Sequence, residues 1–281
     1  MAAAPQVRYR RVAAELQRLR KEQGKSATEV VAGVPGLNLV KLSRYENAAV
    51  QLKPDVVKAL LDYYECEETL AEVLVESLRA PHRTGWVAGF EQQLNPLYTD
   101  LIRLEEMAVG QKAYEASFIP GLLQTRQYAH AIISSAVIKP ASIEERVDVR
   151  INRQSVLTRA EAPLQLWAVI HESALSMAAA PGVMADQLEK LLAYSNMPNV
   201  NIQILPAVAP PHPGMNGAFA LLEFPQRDLD LVLLSGMLTS NWVEEPSQVD
   251  LFRGAFNEIM ATALDLEQSH TLIKEKRDQL K

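Results

Sequence analysis

Lys41 and Arg44 stand three positions apart in the run 39–47, a spacing that puts both cations on one face of a helix. Their chemistry is anion recognition. A lysine ammonium neutralises phosphate, and an arginine guanidinium can also grip guanine through two donors at once. Leu39, Val40 and Ser43 face outward or sit at the rim beside them, while Leu37, Leu42 and Tyr45 point inward. Leu39 has no hydrogen-bonding group, so it can only touch a thymine methyl or pack against a partner.

Helical elements must hold that face. Val12, Leu16 and Leu19 form an apolar stripe at helical spacing, with Arg18, Arg20 and Lys21 beside it, and Gly24 is placed to end the helix. Ser26 with Glu29 three residues on reads as a capping box for a second, short helix that buries Val30, Val31 and Val34. Pro35 and Gly36 end it, and Asn38 is suited to cap the helix 39–47. Pro54 opens a further helix with the stripe Val57, Leu60, Leu61 and Tyr64. Two helices around a short Gly-bearing turn, the second carrying outward cations, is the order of parts that lays a helix in the major groove of double-stranded DNA.

Charge agrees with that order. Residues 1–58 hold eleven Lys and Arg against five Asp and Glu, a balance of +6, whereas the whole chain is −6, leaving −12 for the remainder. A basic head on an acidic body is the asymmetry of a chain that meets phosphate at one end. Arg8, Arg10 and Arg11 precede the stripe and read either as a phosphate-contacting arm or as a solvated cluster. Ser26 and Asn38, besides capping, are placed to touch phosphate.

The run Lys41-Leu-Ser-Arg-Tyr-Glu-Asn47 resembles the recognition helix of the XRE (Cro/repressor-type) helix-turn-helix regulators, and Leu16-Gln-Arg-Leu-Arg-Lys-Glu-Gln-Gly24 resembles their first helix. The resemblance implies a buried ion pair between Arg20 and Glu46. It also implies a dimer that presents two recognition helices ~34 Å apart, one turn of DNA. Two departures stand out. The turn Val34-Pro-Gly-Leu37 is one residue longer than the family's usual form. Ala27 and Leu39 occupy positions where relatives often carry polar residues such as glutamine, so the relatives' base code does not transfer.

Beyond residue 80 the pattern changes. The stretch 81–95, with Pro81, Gly85, Gly89, Trp86 and Phe90, reads as a junction packed on a neighbour rather than as a free linker. From 96 to 281, helices are expected at 96–109, 122–135, 143–159, 184–196, 246–264 and 267–279, and strands at 164–171, 200–205, 218–224 and 229–234. The expected fold is therefore mainly α: an all-α helix-turn-helix domain over 1–80, then a larger mixed α/β (α+β) domain with a small sheet.

Blocks beginning at Tyr114, Leu166, Met197 and His212 are similar to the C-terminal domain of many actinobacterial XRE regulators, described as WhiJ-like or antitoxin-like. That resemblance implies a transcription regulator whose second domain senses a ligand or a small protein encoded nearby. The alternative it leaves open is an antitoxin-like module that neutralises such a partner, with DNA binding secondary. Gly121 and Gln124, after Pro120, place a helix start where backbone donors could take an anion or a peptide carboxylate; an ordinary domain turn is the other reading. Arg146, Arg150 and Arg153 share a helix face, either as an anion or acidic-partner site or as a salt-bridged surface.

Catalysis is not expected. The five histidines, at 82, 130, 171, 212 and 270, show no metal-ligand spacing, Ser173 and Ser176 lack a nucleophile elbow, and no Gly-rich phosphate loop is present, so neither metal nor cofactor is expected. No run of apolar residues is long enough to span a membrane, and the opening residues lack a signal peptide's apolar core. The single cysteine, Cys66, leaves no intrachain disulfide and fits a cytoplasmic protein.

Overall fold

The computed structural model describes residues 7–79, 96–136, 142–176, 180–225, 227–236 and 240–280. The chain divides into two compact units, Met1–Asp100 and Leu101–Lys281. The junction expected at 81–95 lies outside the described residues.

The first unit is helical: α1 (Val7–Glu22), α2 (Ala27–Gly33), α3 (Leu39–Glu46), α4 (Pro54–Tyr63) and α5 (Glu68–Arg79). Three of the boundaries have a clear local cause. Gly24 takes a left-handed φ of +63° after α1, a conformation glycine reaches without a Cβ penalty. At α2 the Ser26 hydroxyl accepts from the Glu29 amide at 3.2 Å, and the Glu29 carboxylate accepts from the Ser26 amide at 2.7 Å. Asn38 Oδ1 accepts from the Lys41 amide at 2.8 Å, capping α3. Val12, Leu16, Val30, Leu42, Val57, Leu60, Leu61 and Tyr64 form the core. Each such aliphatic group withdrawn from water contributes about 1.5–3 kcal/mol. Helix α5 adds Leu74, Val75 and Leu78 to the buried set; its apolar stripe was not anticipated as a separate element.

The second unit opens within α6 (Pro96–Met107) and is built on a six-stranded mixed sheet. Its strands are β1 (Gly110–Glu115), β2 (Gln165–His171), β3 (Val200–Leu205), β4 (Phe219–Glu223), β5 (Leu231–Ser235) and β6 (Ser240–Val243), in the order β3-β2-β1-β4-β5-β6. The β3-β2-β1 half is parallel, whereas β4, β5 and β6 add antiparallel to it. Helices α7 (Arg126–Ser135), α8 (Ile143–Arg153) and α9 (Val183–Tyr194) lie in the parallel crossovers, and α10 (Pro246–Thr262) and α11 (Leu266–Asp278) follow the last strand. One face of the sheet presents Tyr114, Val169, Phe219, Leu221 and Val232 to Val249, Phe256 and Ile259 of α10.

Four strands match the expected runs closely; β1 and β6 were not foreseen. Strand β1 reads Gly-Gln-Lys-Ala-Tyr-Glu, with polar residues on both faces, yet it pairs on both sides with Tyr114 opposite Val169 and Phe219. Backbone pairing, not apolar alternation, places it at the centre of the sheet. Two expected helices are also shorter. The segment 122–135 begins as a 3-10 turn, Gly121–Leu123, and α7 starts only after Thr125, whose side chain caps it. The segment 143–159 ends its α-helix at Arg153 and continues as a 3-10 turn, Gln154–Leu157.

Candidate nucleic-acid interface

Helix α3 buries Leu42, Tyr45 and Glu46 and leaves Leu39, Val40, Ser43 and Arg44 exposed, with Lys41 half-buried. An open groove of about 710 Å³ runs beside it, lined by Val31, Asn38, Leu39, Val40, Lys41, Arg44, Tyr45, Val50, Gln51 and Lys53. The Lys41 ammonium folds back to donate to Gly36 O at 3.1 Å, which holds its charge over the turn between α2 and α3. Arg44 carries no such internal bond among the described residues and projects freely from the helix.

The segment after α3 supplies a third cation. Tyr45 Oη accepts from the Lys53 amide at 3.3 Å, pinning this loop on α3 and bringing Lys53 to the rim of the groove. Lys53 and Gln51 were not singled out from the sequence. A lysine directly ahead of the helix-opening Pro54 was the available signal.

The other cations of this unit are differently employed. Arg18 is held by Glu15 and Glu22, with the Glu15 bond foremost in raising its pKa. Lys58 pairs with Asp62, and Arg20 with Glu46, whose hydrogen bond is the leading cause of a raised Arg20 pKa. Among the described residues Lys41, Arg44 and Lys53 have no carboxylate partner, and all three line one groove.

The arginines expected as an arm are placed otherwise. Arg8, Arg10 and Arg11 are residues of α1, which begins at Val7; arginine is a good helix former and nothing between Val7 and Val12 breaks the helix. Arg10 and Arg11 are half-buried and engaged with other groups. Ser26 is exposed but its hydroxyl is committed to the capping box with Glu29.

In the second unit, the residues expected to share an accessible site are drawn inward. Gln124 is fully buried; it donates to Ile119 O at 2.7 Å and accepts from Arg150 Nη1 at 2.8 Å. Gln154 donates to Gly121 O and Gln124 O, and Lys190 donates to Gln124 O at 2.9 Å and to Gln154 Oε1 at 2.6 Å. Arg153 is buried against Glu105, Nε to Oε2 at 2.8 Å and Nη2 to Oε1 at 2.6 Å, while Arg146 and Arg150 are half-buried. The three arginines therefore present no common exposed face, because the helix turns Arg153 towards the core. Gly121 opens only a three-residue 3-10 turn, too short to hold aligned helix donors. These groups tie the crossover segments together.

Among the described residues, no three His, Cys, Asp or Glu side chains gather as metal ligands, and no helix is long and apolar enough to cross a membrane. Comparison with protein families matches residues 11–74 to a helix-turn-helix domain and residues 98–275 to a domain of unknown function (DUF5753). No curated protein and no solved structure matches the chain.

Proposed function

We propose that this chain, which belongs to the DUF5753 family and carries a helix-turn-helix domain ahead of that domain, is a sequence-specific DNA-binding transcription regulator of the XRE type. The observation that carries the reading is the groove beside α3, lined by Lys41, Arg44 and Lys53, which have no carboxylate partner among the described residues. Unpaired cations on one strip attract phosphate and release its counterions on contact. Arg44 reaches base edges or phosphate from the exposed side of α3. Lys41 and Lys53, which line the same groove, position the duplex. Asn38 and Ser26 keep the N-termini of α3 and α2 in shape beside the backbone, and Ser43 adds a hydroxyl on the same side. Two copies binding a two-fold site would present their α3 helices one DNA turn apart.

The reading gives the second unit a sensory role, coupling a ligand or small protein partner to DNA affinity. A protein-binding, antitoxin-like role is the second reading, favoured by the exposure of Leu39 and Val40, 52 % and 68 %, on a helix whose outer side would otherwise be polar. The test is a fluorescence-anisotropy titration of the full chain against its own upstream DNA at about 0.15 M salt, with and without any small protein encoded alongside. Tight sequence-dependent binding, lost in a folded Lys41→Ala/Arg44→Ala variant, is the expected result. Full binding by that variant contradicts the assignment of α3.

A further inference from the structure

The groove beside α3 pairs cations with apolar side chains. Leu39 and Val40 occupy the first turn of the helix, and Val31 and Val50 line the same groove as Lys41, Arg44 and Lys53. Two adjacent large apolar groups left in water mark a contact surface, because each forgoes its transfer free energy until something covers it. Charge says what kind of occupant comes. A groove lined by three cations that have no carboxylate partner among the described residues is suited to a polyanion.

The edges of the major groove carry one apolar substituent, the 5-methyl group of thymine. Leu39 and Val40 have no donor or acceptor, so a polar base edge pressed against them would lose water and gain nothing. Val40 and Arg44 are one helical turn apart on one line, as are Leu39 and Ser43, so the apolar turn and the polar turn read neighbouring positions of the duplex. Resting on the DNA-binding reading above, we infer that the first turn of α3 recognises thymine 5-methyl groups through Leu39 and Val40. Each half-site then carries thymine at the positions facing this turn, with the cation contacts flanking it.

The test begins with selection of binding duplexes from a randomised pool by the full-length chain. Each thymine in the winning duplex is then replaced singly by deoxyuridine, which removes only the 5-methyl. Loss of one buried methyl lowers affinity about fourfold. That loss is expected at one or two thymines per half-site and is expected to vanish in Leu39→Ala or Val40→Ala variants. Both side chains are exposed, so unchanged circular dichroism is expected for these variants. Sequence-specific binding that tolerates deoxyuridine at every position overturns the inference while leaving the DNA-binding reading intact. Failure of any duplex to be enriched overturns both.

Discussion

Arg20 on α1 and Glu46 at the end of α3 form a two-point ion pair across 26 residues, Nε to Oε1 at 2.7 Å and Nη2 to Oε2 at 2.8 Å. Arg20 also donates to Lys25 O at 3.2 Å, so one guanidinium fixes the end of α1, the turn into α2 and the last residue of α3. The pair holds the inner end of the helix whose outer face carries Arg44.

Removing one partner leaves a poorly solvated charge. Arg20→Ala or Glu46→Ala is expected to destabilise the first unit by about 3 kcal/mol, the lower end for a broken buried pair because Arg20 keeps some solvent. Replacing both with Met and Leu should recover much of the loss. Urea unfolding of the full chain followed by circular dichroism checks this, and equal losses in single and double variants would argue against the pair as the cause.

Gly33 ends α2 against Tyr63 of α4. A Cβ at Gly33 would overlap the Tyr63 ring, which also donates through Oη to Glu29 O at 3.3 Å and lies 4.1 Å from the Lys25 ammonium. Gly33→Ala must displace the ring and break those contacts, although alanine is the better helix former. Overpacking of this kind typically costs about 1–3 kcal/mol. A lower urea midpoint is expected; a raised midpoint would mean that the ring swings aside freely.

The second unit carries two opposed titrations. Glu115, at the end of β1, has its Oε2 enclosed without a hydrogen-bond partner among the described residues, and desolvation, opposed by Arg150, pushes its pKa up to about 8. Desolvation pushes Lys190 down to about 8. The folded state thus holds a proton on Glu115 that the unfolded chain releases above its ordinary 4.5, so this group's contribution to stability falls as pH rises from about 4.5 to about 8. Lys190 acts in the other direction. The folded state binds less proton than the unfolded chain between about 8 and 10.5, so its contribution rises over that range. Together they predict a minimum near pH 8 in their joint contribution. Comparing unfolding free energy against pH for the parent, Glu115→Gln and Lys190→Met isolates each limb. Parallel curves for parent and Glu115→Gln between pH 5 and 8 would refute the assignment to Glu115.

Much of the first unit was legible because its signals are local. Ser26 with Glu29, Asn38 ahead of α3 and Gly24 after α1 each act within a few residues, and the buried stripe Val57, Leu60, Leu61 and Tyr64 follows directly from helical spacing. Lys53 escaped notice because its place depends on Tyr45 Oη, a contact between elements. Strand β1 was hidden for a similar reason. Its residues do not alternate, and its central position is fixed by partners more than fifty residues away in β2 and β4. Helical spacing puts Arg146, Arg150 and Arg153 on one face, but tertiary packing decides whether that face is inside, and Arg153 is buried against Glu105.

The central claim is tested most directly by the salt dependence of DNA affinity for the parent chain and for Lys41→Ala/Arg44→Ala/Lys53→Ala. If each of the three cations neutralises a phosphate, the slope of log affinity against log salt falls by roughly 0.9 per residue removed. The account predicts a triple variant with unchanged circular dichroism, greatly weakened binding and a slope reduced by roughly 2.7. A folded triple variant with the parent's slope and affinity would place the DNA surface elsewhere on the chain.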